Sequence, residues 1–274
     1  MKFADLHLHT YFSDGTYSPE ELVSESRKAG LAAIAVVDHD TVEAIKPVLK
    51  VADRNEVEVI PGIELTAEDD GSEIHILGYF IDYERKDFLK KLDILKNNRV
   101  DRIYKIVKKL NGLGMDLDAQ DVFDIAKIGT AGRLHVARAM VKAGVVGSTA
   151  EAFRKYIGDK GPGYVCGFRF NPKEAIKLIK DVGGVPVLAH PYTLNNDELI
   201  SRYVDYGIMG LEVYYPEHSQ SMVNFYLRLA QKHNLLVTGG SDCHGNAKPV
   251  VKIGSIKIPY ELVEKLKEAR DMLR

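Results

Sequence analysis

The chain has 274 residues, 45% hydrophobic and 28% charged, which excludes a disordered, collagen-like or low-complexity polymer and fits one α/β barrel of ~250 residues. Its 37 Lys/Arg and 39 Asp/Glu give a net charge of −2, so a globally basic nucleic-acid binder is excluded while a local basic patch is not. Cys166 and Cys243 cannot build a disulfide framework or a Cys₄ zinc site and suit a reducing cytoplasm, and apolar runs such as Leu31–Val37 fall far short of the ~18 residues that span a bilayer.

Phe3–His9 alternates in polarity and predicts a strand. The segment MKFADLHLHT puts an Asp and two His where a secretory signal needs an apolar stretch, so a cytoplasmic location is expected. Ser18-Pro19-Glu20-Glu21 supplies an N-cap and a Pro at the first helical position, which predicts a helix to about Gly30. Leu31–Asp38 reads as a buried strand, Thr41–Asn55 as a helix, and Val57–Leu65 and Glu73–Phe80 as strands. The last third repeats the alternation. Pro172–Val182, Asp197–Tyr206, Ser219–His233 and Pro259–Leu273 read as helices, and Gly184–Ala189, Gly210–Tyr215 and Leu235–Gly239 as strands. Alternating units of this kind predict a largely parallel sheet, closed or open.

Residues 84–165 read differently. Phe88, Leu92, Leu95, Ile103, Ile106, Leu110 and Leu113 recur at helical spacing, with a gap at Arg99. Asp118–Ala126, Arg133–Lys142 and Thr149–Ile157 predict three shorter helices. The expected organisation is an α/β unit from 1–83 and 166–274, with 84–165 as a helical insertion. Residues 85–165 hold 17 Lys/Arg against 9 Asp/Glu, and the rest 20 against 30. A solvated helix face accounts for that asymmetry; so does a basic cap over an acidic cleft, which would draw phosphate-bearing substrates.

The histidines and carboxylates gather at particular places. His7 and His9 lie two apart on a strand and so point to one face, where both can reach one ion. Asp14 follows in the loop SDG, where Asp also serves as a turn residue. His39 stands between Asp38 and Asp40 after a buried strand, costly as packing and sensible as a ligand. Glu64 ends the strand VIPGIEL, His75 sits in EIHILGYF, His190 ends VPVLAHP, and Asp242 and His244 lie in GGSDCHG. Nearly all fall at or beyond the C-terminal ends of predicted strands, the face on which α/β barrels build active sites. Asp, Glu and His without Cys suit Zn²⁺, Mn²⁺ or Fe²⁺.

The motifs DLHLHTYFSDG, VVDHDT, PGIEL, HILGY, AHP and GSDCHG, in this order over residues 5–245, resemble those of the PHP (polymerase and histidinol phosphatase) family of metal-dependent phosphoesterases. The resemblance implies a distorted (β/α)₇ barrel with a trinuclear centre of two to three bound Mn, Zn or Fe ions. It implies that His7, His9, Glu64 and Asp242 hold one ion, that Glu64 bridges to a second held by His75 and His190, and that Asp14, His39 and His244 hold a third. The insertion and the segment GRLHVARAM resemble the subgroup of nucleoside 3′,5′-bisphosphate phosphatases, AMP-hydrolysing members and RNase AM-like 5′→3′ exonucleases. That subgroup often carries Pro where this chain has Cys166.

A phosphoesterase of this kind would use a hydroxide shared by two ions as nucleophile, with further cations around the phosphate. Arg133 and His135 open a helix after Gly132 and are candidates for that role, or a helix-start Arg and a surface His. Lys160 is a candidate for a second phosphate, or a solvated loop residue. His218 is a candidate proton donor, or an N-terminal helix residue. Asp38, Asp40 and Glu212 are candidates to orient metal-bound imidazoles, and Tyr17, Tyr214 and Tyr215 to stack a base or to pack a core. His233, near a helix C-terminus, reads as structural. The expected substrate is a phosphorylated small molecule or short 5′-phosphorylated oligonucleotide, not a long duplex; the alternatives are a non-nucleotide metabolite such as histidinol phosphate, or a non-catalytic metal-binding domain.

Overall fold

In a computed structural model of the chain, residues 1–52, 57–166, 170–194 and 196–273 are described. Strand β1 (Phe3–Leu8) leads into helix α1 (Pro19–Lys28), whose Ser18 cap works as the sequence predicts. Ser18 Oγ accepts from the Glu21 amide at 3.2 Å, and Glu21 accepts in return from the Ser18 amide at 2.8 Å. Then follow β2 (Ala33–Val36), α2 (Ile45–Ala52), β3 (Glu58–Asp69) and β4 (Ser72–Tyr79). The predicted Thr41–Asn55 helix starts late, because Asp40 takes a left-handed φ of 52° and Thr41 Oγ1 accepts from the Glu43 amide at 3.3 Å, turning the chain first. Its last predicted residues, Asp53–Asn55, lie outside the described residues.

The helical stretch comprises α3 (Lys86–Asn111), α4 (Ala119–Ala126), α5 (Arg133–Lys142) and α6 (Thr149–Ala152), the last widening into a π-helical turn over Phe153–Ile157. The alternation then resumes with α7 (Pro172–Asp181), β5 (Val185–Leu188), α8 (Glu198–Asp205), β6 (Gly210–Tyr214), α9 (Gln220–Lys232), β7 (Leu236–Gly239), β8 (Ile258–Pro259) and α10 (Glu261–Asp271).

The strands form one sheet in the order β7-β6-β5-β4-β3-β2-β1-β8. β1–β2–β3 and β5–β6–β7 are parallel runs, while β4 is antiparallel to both β3 and β5. The exception has a local cause. Asp70 and Gly71 both take positive φ, 49° and 75°, and make a two-residue turn that folds β4 straight back on β3. The sheet nearly closes on itself. A Cβ on Gly240 would lie 2.4 Å from His7, so only glycine lets the chain after β7 press on β1, and Leu8 bridges Cys243 in parallel.

Helix α3 belongs to two cores. Phe88, Leu92 and Leu95 pack with β3, β4 and α7, whereas Ile103, Ile106 and Leu110 pack with Val122, Val136, Met140 and Ile157 of the following helices. Arg99 and Arg102 are buried where one core hands over to the other. Among the described residues no helix is long and apolar enough to cross a membrane.

Candidate metal centre

The nine ligand candidates converge at one end of the sheet. The rings of His7 and His9 lie 5.1 Å apart, on one face as their spacing predicts. His7, His9, Glu64 and Asp242 form one group whose ligand atoms all lie within 4.8 Å of one another; His39, Glu64 and His75 form a second; His9, Asp14, His39 and His244 form a third. His190 joins the second group, with Nε2 3.2 Å from Glu64 and 3.3 Å from His75 Nδ1. His9 and His39 each stand in two groups, a sharing that the motif correspondence does not contain.

The donor set fits a cation. His9 Nδ1 and Nε2, Asp14 Oδ1 and His39 Nδ1 are buried without a hydrogen bond, each such atom costing about 1–3 kcal/mol unless something else satisfies it. Other imidazoles are anchored by one nitrogen, which leaves the second nitrogen's lone pair on the cluster. His7 Nδ1 donates to Glu212 at 2.9 Å, His75 Nε2 to Glu73 at 2.9 Å, and His244 Nδ1 to the Asp242 carbonyl at 2.8 Å. Burial opposes a charge on His75, but Glu64 and Glu73 outweigh it and push its pKa up to about 10. Burial likewise opposes a charge on Asp14, yet His244 and His39 hold it well below the usual carboxylate range. Protons and cations compete for these atoms, so metal affinity should rise with pH.

The backbone is strained at the same place. Asp40, His190 and Asp242 all take positive φ, at 52°, 26° and 53°. Such residues cost of order 1–3 kcal/mol each and cluster at functional sites.

Seven of the nine ligand candidates, all but the fully buried His7 and His9, line a cavity of about 180 Å³, together with Arg99, Arg133, Lys248, Leu134, Phe153 and Tyr215. Arg133 is held by Glu73 at 3.1 Å and Asp159 at 2.6 Å, and its guanidinium lies over Tyr164. His135 is not in this cavity. Its Nδ1 accepts from the Gly132 amide at 3.1 Å, and burial lowers its pKa to about 4, so it is a neutral cap for α5. Lys160 is exposed and does not line the cavity; its neighbour Asp159 does the work of bracing Arg133. His218 lies 5.4 Å, ring to ring, from Tyr215 and does not line the cavity either. Burial lowers its pKa, and Nδ1 donates to the Val213 carbonyl at 2.8 Å, so the neutral ring carries its proton away from Nε2.

Glu212 orients His7 and also accepts from the His190 amide at 2.8 Å. Asp38 and Asp40 do not touch an imidazole. Asp38 takes Thr10 and Ser13, fixing the loop that carries Asp14, and Asp40 pairs with Arg99 at 2.6 Å. Tyr215 donates to Asp242 at 2.8 Å, while Tyr17 and Tyr214 pack against apolar clusters. His233 caps the C-terminus of α9, and Cys166 is exposed with its thiol on Glu68.

Glu73, Arg102 and Lys248, and Arg99 apart from its gap in the apolar stripe, carry no local sequence signal of a role here. Glu73 joins His75 to Arg133 and to Arg102, the latter at 2.6 Å. Lys248 pairs with Asp242 at 2.8 Å; burial opposes its charge, but Asp242 outweighs burial and keeps it protonated. The gap at Arg99 in the apolar stripe of α3 was the one signal available.

Residues 5–128 match the PHP domain. Over 250 residues the chain is 32% identical to the 5′-3′ exoribonuclease Rnm of Escherichia coli (strain K12), covering 88% of this chain and 84% of that protein. It is 28% identical over 254 residues to the 3′,5′-nucleoside bisphosphate phosphatase of Chromobacterium violaceum, covering 89% and 88%. The crystal structure of a metal-dependent phosphoesterase from Bifidobacterium adolescentis superposes with a TM-score of 0.88 at 31% identity, over 97% of this chain and 96% of that one.

Proposed function

This chain belongs to the PHP family of metal-dependent phosphoesterases, and from that premise we propose that it hydrolyses a terminal phosphate ester of a nucleotide, AMP or a nucleoside 3′,5′-bisphosphate, or of a short 5′-phosphorylated oligonucleotide. The observation that carries this reading is a cavity of about 180 Å³ lined at once by cation ligands and by the cationic Arg133 and Lys248. Sites that enclose a whole drug-sized ligand run to roughly 300–1,000 Å³. A smaller cavity of mixed charge suits one phosphate and its ester oxygen, with the rest of the substrate outside.

We assign two to three divalent ions, Mn²⁺, Zn²⁺ or Fe²⁺, to the nine side chains in the groups described above. When bound, such ions lower the pKa of water from 15.7 towards ~7 and neutralise phosphate oxygens. The chain's own groups do the rest. Arg133 presents its fork to the phosphate, kept in one orientation by Glu73 and Asp159. Because Glu73 also holds His75, the phosphate clamp and the metal ligand are set by one carboxylate. Lys248 supplies a protonated amine at the cavity, where His218 does not. Leu134 and Phe153 add an apolar lining that limits water. Residues 84–165 act as a cap, since α5 is the element that carries Arg133 to the cavity. A reducing cytoplasm suits the two free cysteines.

The test is phosphate release by Mn²⁺-reconstituted protein from AMP, 3′,5′-bisphosphoadenosine, 5′-phosphorylated dinucleotides and histidinol phosphate. Release from the nucleotides is expected. Activity confined to histidinol phosphate would place the enzyme among small-metabolite phosphatases and overturn the reading.

A further inference from the structure

We propose that a second cavity, of about 400 Å³, binds the base of the nucleotide whose phosphate occupies the metal cavity. This rests on the nucleotide reading and supplies what the sequence lacks, a place for a base. Tyr192, Met222, Phe225 and Tyr226 line the cavity. Tyr192 stands two residues after the candidate ligand His190, in the turn Pro191–Leu194. Met222, Phe225 and Tyr226 share one face of α9 at helical spacing, so elements distant in sequence build the platform and no motif announces it.

The cavity adjoins the metal site. The His190 ring lies 5.3 Å from Tyr215, and Tyr215 lies 5.7 Å from Tyr192. Tyr215 lines the first cavity and Tyr192 the second, so the two cavities are separated by this pair of neighbouring rings. The chemistry of the lining selects the occupant. Among the described residues no Lys, Arg or His lines the second cavity, so it brings no cation to a phosphate. It offers flat aromatic faces and, from Asn196 and Asp197, a polar rim. Asn196 Oδ1 accepts from the Glu198 amide at 3.0 Å, which leaves its NH₂ to donate, while the Asp197 carboxylate accepts. A flat apolar ring edged with donors and acceptors is a nucleobase, and aromatic faces hold any base by stacking. Phe225 is 38% exposed, an apolar ring that faces water until something covers it.

The experiment compares AMP with ribose 5-phosphate, which has the same phosphate and sugar but no base, on the Mn²⁺-loaded full chain. Wild type should prefer AMP in kcat/KM. Phe225→Ala should lower the ratio of the two kcat/KM values by roughly five- to a hundredfold, the cost of a lost stack. Phe225→Leu, which keeps the apolar bulk without the aromatic face, should also lower it. Adenosine binding, followed by calorimetry without turnover, should weaken in step. Wild-type adenosine affinity in Phe225→Ala, or equal kcat/KM changes on both substrates, overturns the base pocket and leaves the phosphoesterase reading intact. A change in oligomeric state alone would assign the exposed ring to a second copy of the chain and equally overturn it. No nucleotide hydrolysis by the wild type overturns the nucleotide reading, and the base pocket with it.

Discussion

Glu64 is the residue on which the candidate centre turns. Its carboxylate lies 3.2 Å from His7, 3.1 Å from His9, 3.4 Å from His39, 2.9 Å from His75 and 3.2 Å from His190. Among the described histidines Asp14 pairs with His9, His39 and His244, at 3.8, 3.9 and 3.1 Å. Glu64→Gln should therefore lose more metal than Asp14→Asn, measured as ions per chain by elemental analysis; full occupancy in the Glu64 variant would remove it from the bridging role. Arg133 tests the other half of the cavity. Arg133→Ala should cut kcat/KM by roughly 10²–10³, the range for losing one charge-stabilising donor. Metal content should hold, because Arg102 still pairs Glu73 behind His75. Wild-type kinetics in that variant would make Arg133 a structural brace for Glu73 and Asp159 and nothing more.

At the scale of elements, α3 and α5 connect the helical stretch to the centre through buried polar contacts. Arg99 on α3 donates to Asp40 at 2.6 Å and to Thr66 at 2.6 Å. Removing one partner of a buried pair costs about 3–5 kcal/mol, since the other charge is left unpaired. Arg99→Met should lower the unfolding free energy by about that much in urea titrations, and a change below ~0.5 kcal/mol would show that the pair is not buried in solution. On α5, His135 caps as a neutral ring, with a folded pKa of about 4 against ~6.5 unfolded. Between those values the unfolded chain binds the proton and the folded chain does not. The stability is thus complete above about pH 6.5 and is lost as pH falls towards 4, about 3 kcal/mol at full extent. His135→Gln accepts from Gly132 without titrating, so its urea midpoint should fall less than that of wild type between pH 7 and 4.5; parallel falls would count against the cap. These contacts mark where the sequence stopped being legible. Strands, helix caps and ligand candidates follow from local patterns, as Ser18 and the His7/His9 pair do. Glu73, Arg99 and Lys248 look like solvated charges in the sequence because their charged partners Arg102, Asp40 and Asp242 are 29, 59 and 6 residues away and only the fold brings them together. The antiparallel β4 was legible in Asp70-Gly71, but a period-two pattern alone reads the same in either direction.

The whole molecule sets which part of a polyanion can approach. Residues 85–165 carry an excess of eight positive charges and the remainder an excess of ten negative ones. Asp14, Glu64 and Asp242, with Asp38, Asp40, Glu73 and Glu212 beside them, are seven of the 30 acidic residues outside 85–165, so most of those acidic side chains lie away from the ligand candidates. A long nucleic acid laid along the α/β part would meet repulsion over most of its length, while a terminal phosphate at the cavity meets Arg133, Lys248 and whatever ions the ligands hold. The cavity's 180 Å³ suits a single phosphate group. The enzyme should therefore act on ends. Few exposed phosphate contacts, one to three, imply that log K falls with log salt at a slope of about 0.7 per contact on a single strand. Activity should be high on 5′-phosphorylated short strands, low on the same strands with a 5′-hydroxyl, and undetectable on circular single-stranded DNA across 50–200 mM salt. A circular substrate cleaved as fast as the linear one would mean that the cavity opens to internal phosphates. A salt slope of five or more would mean that the basic residues of 85–165 grip a long strand, and the charge asymmetry would then describe a track leading to the site instead of a gate that admits only its end.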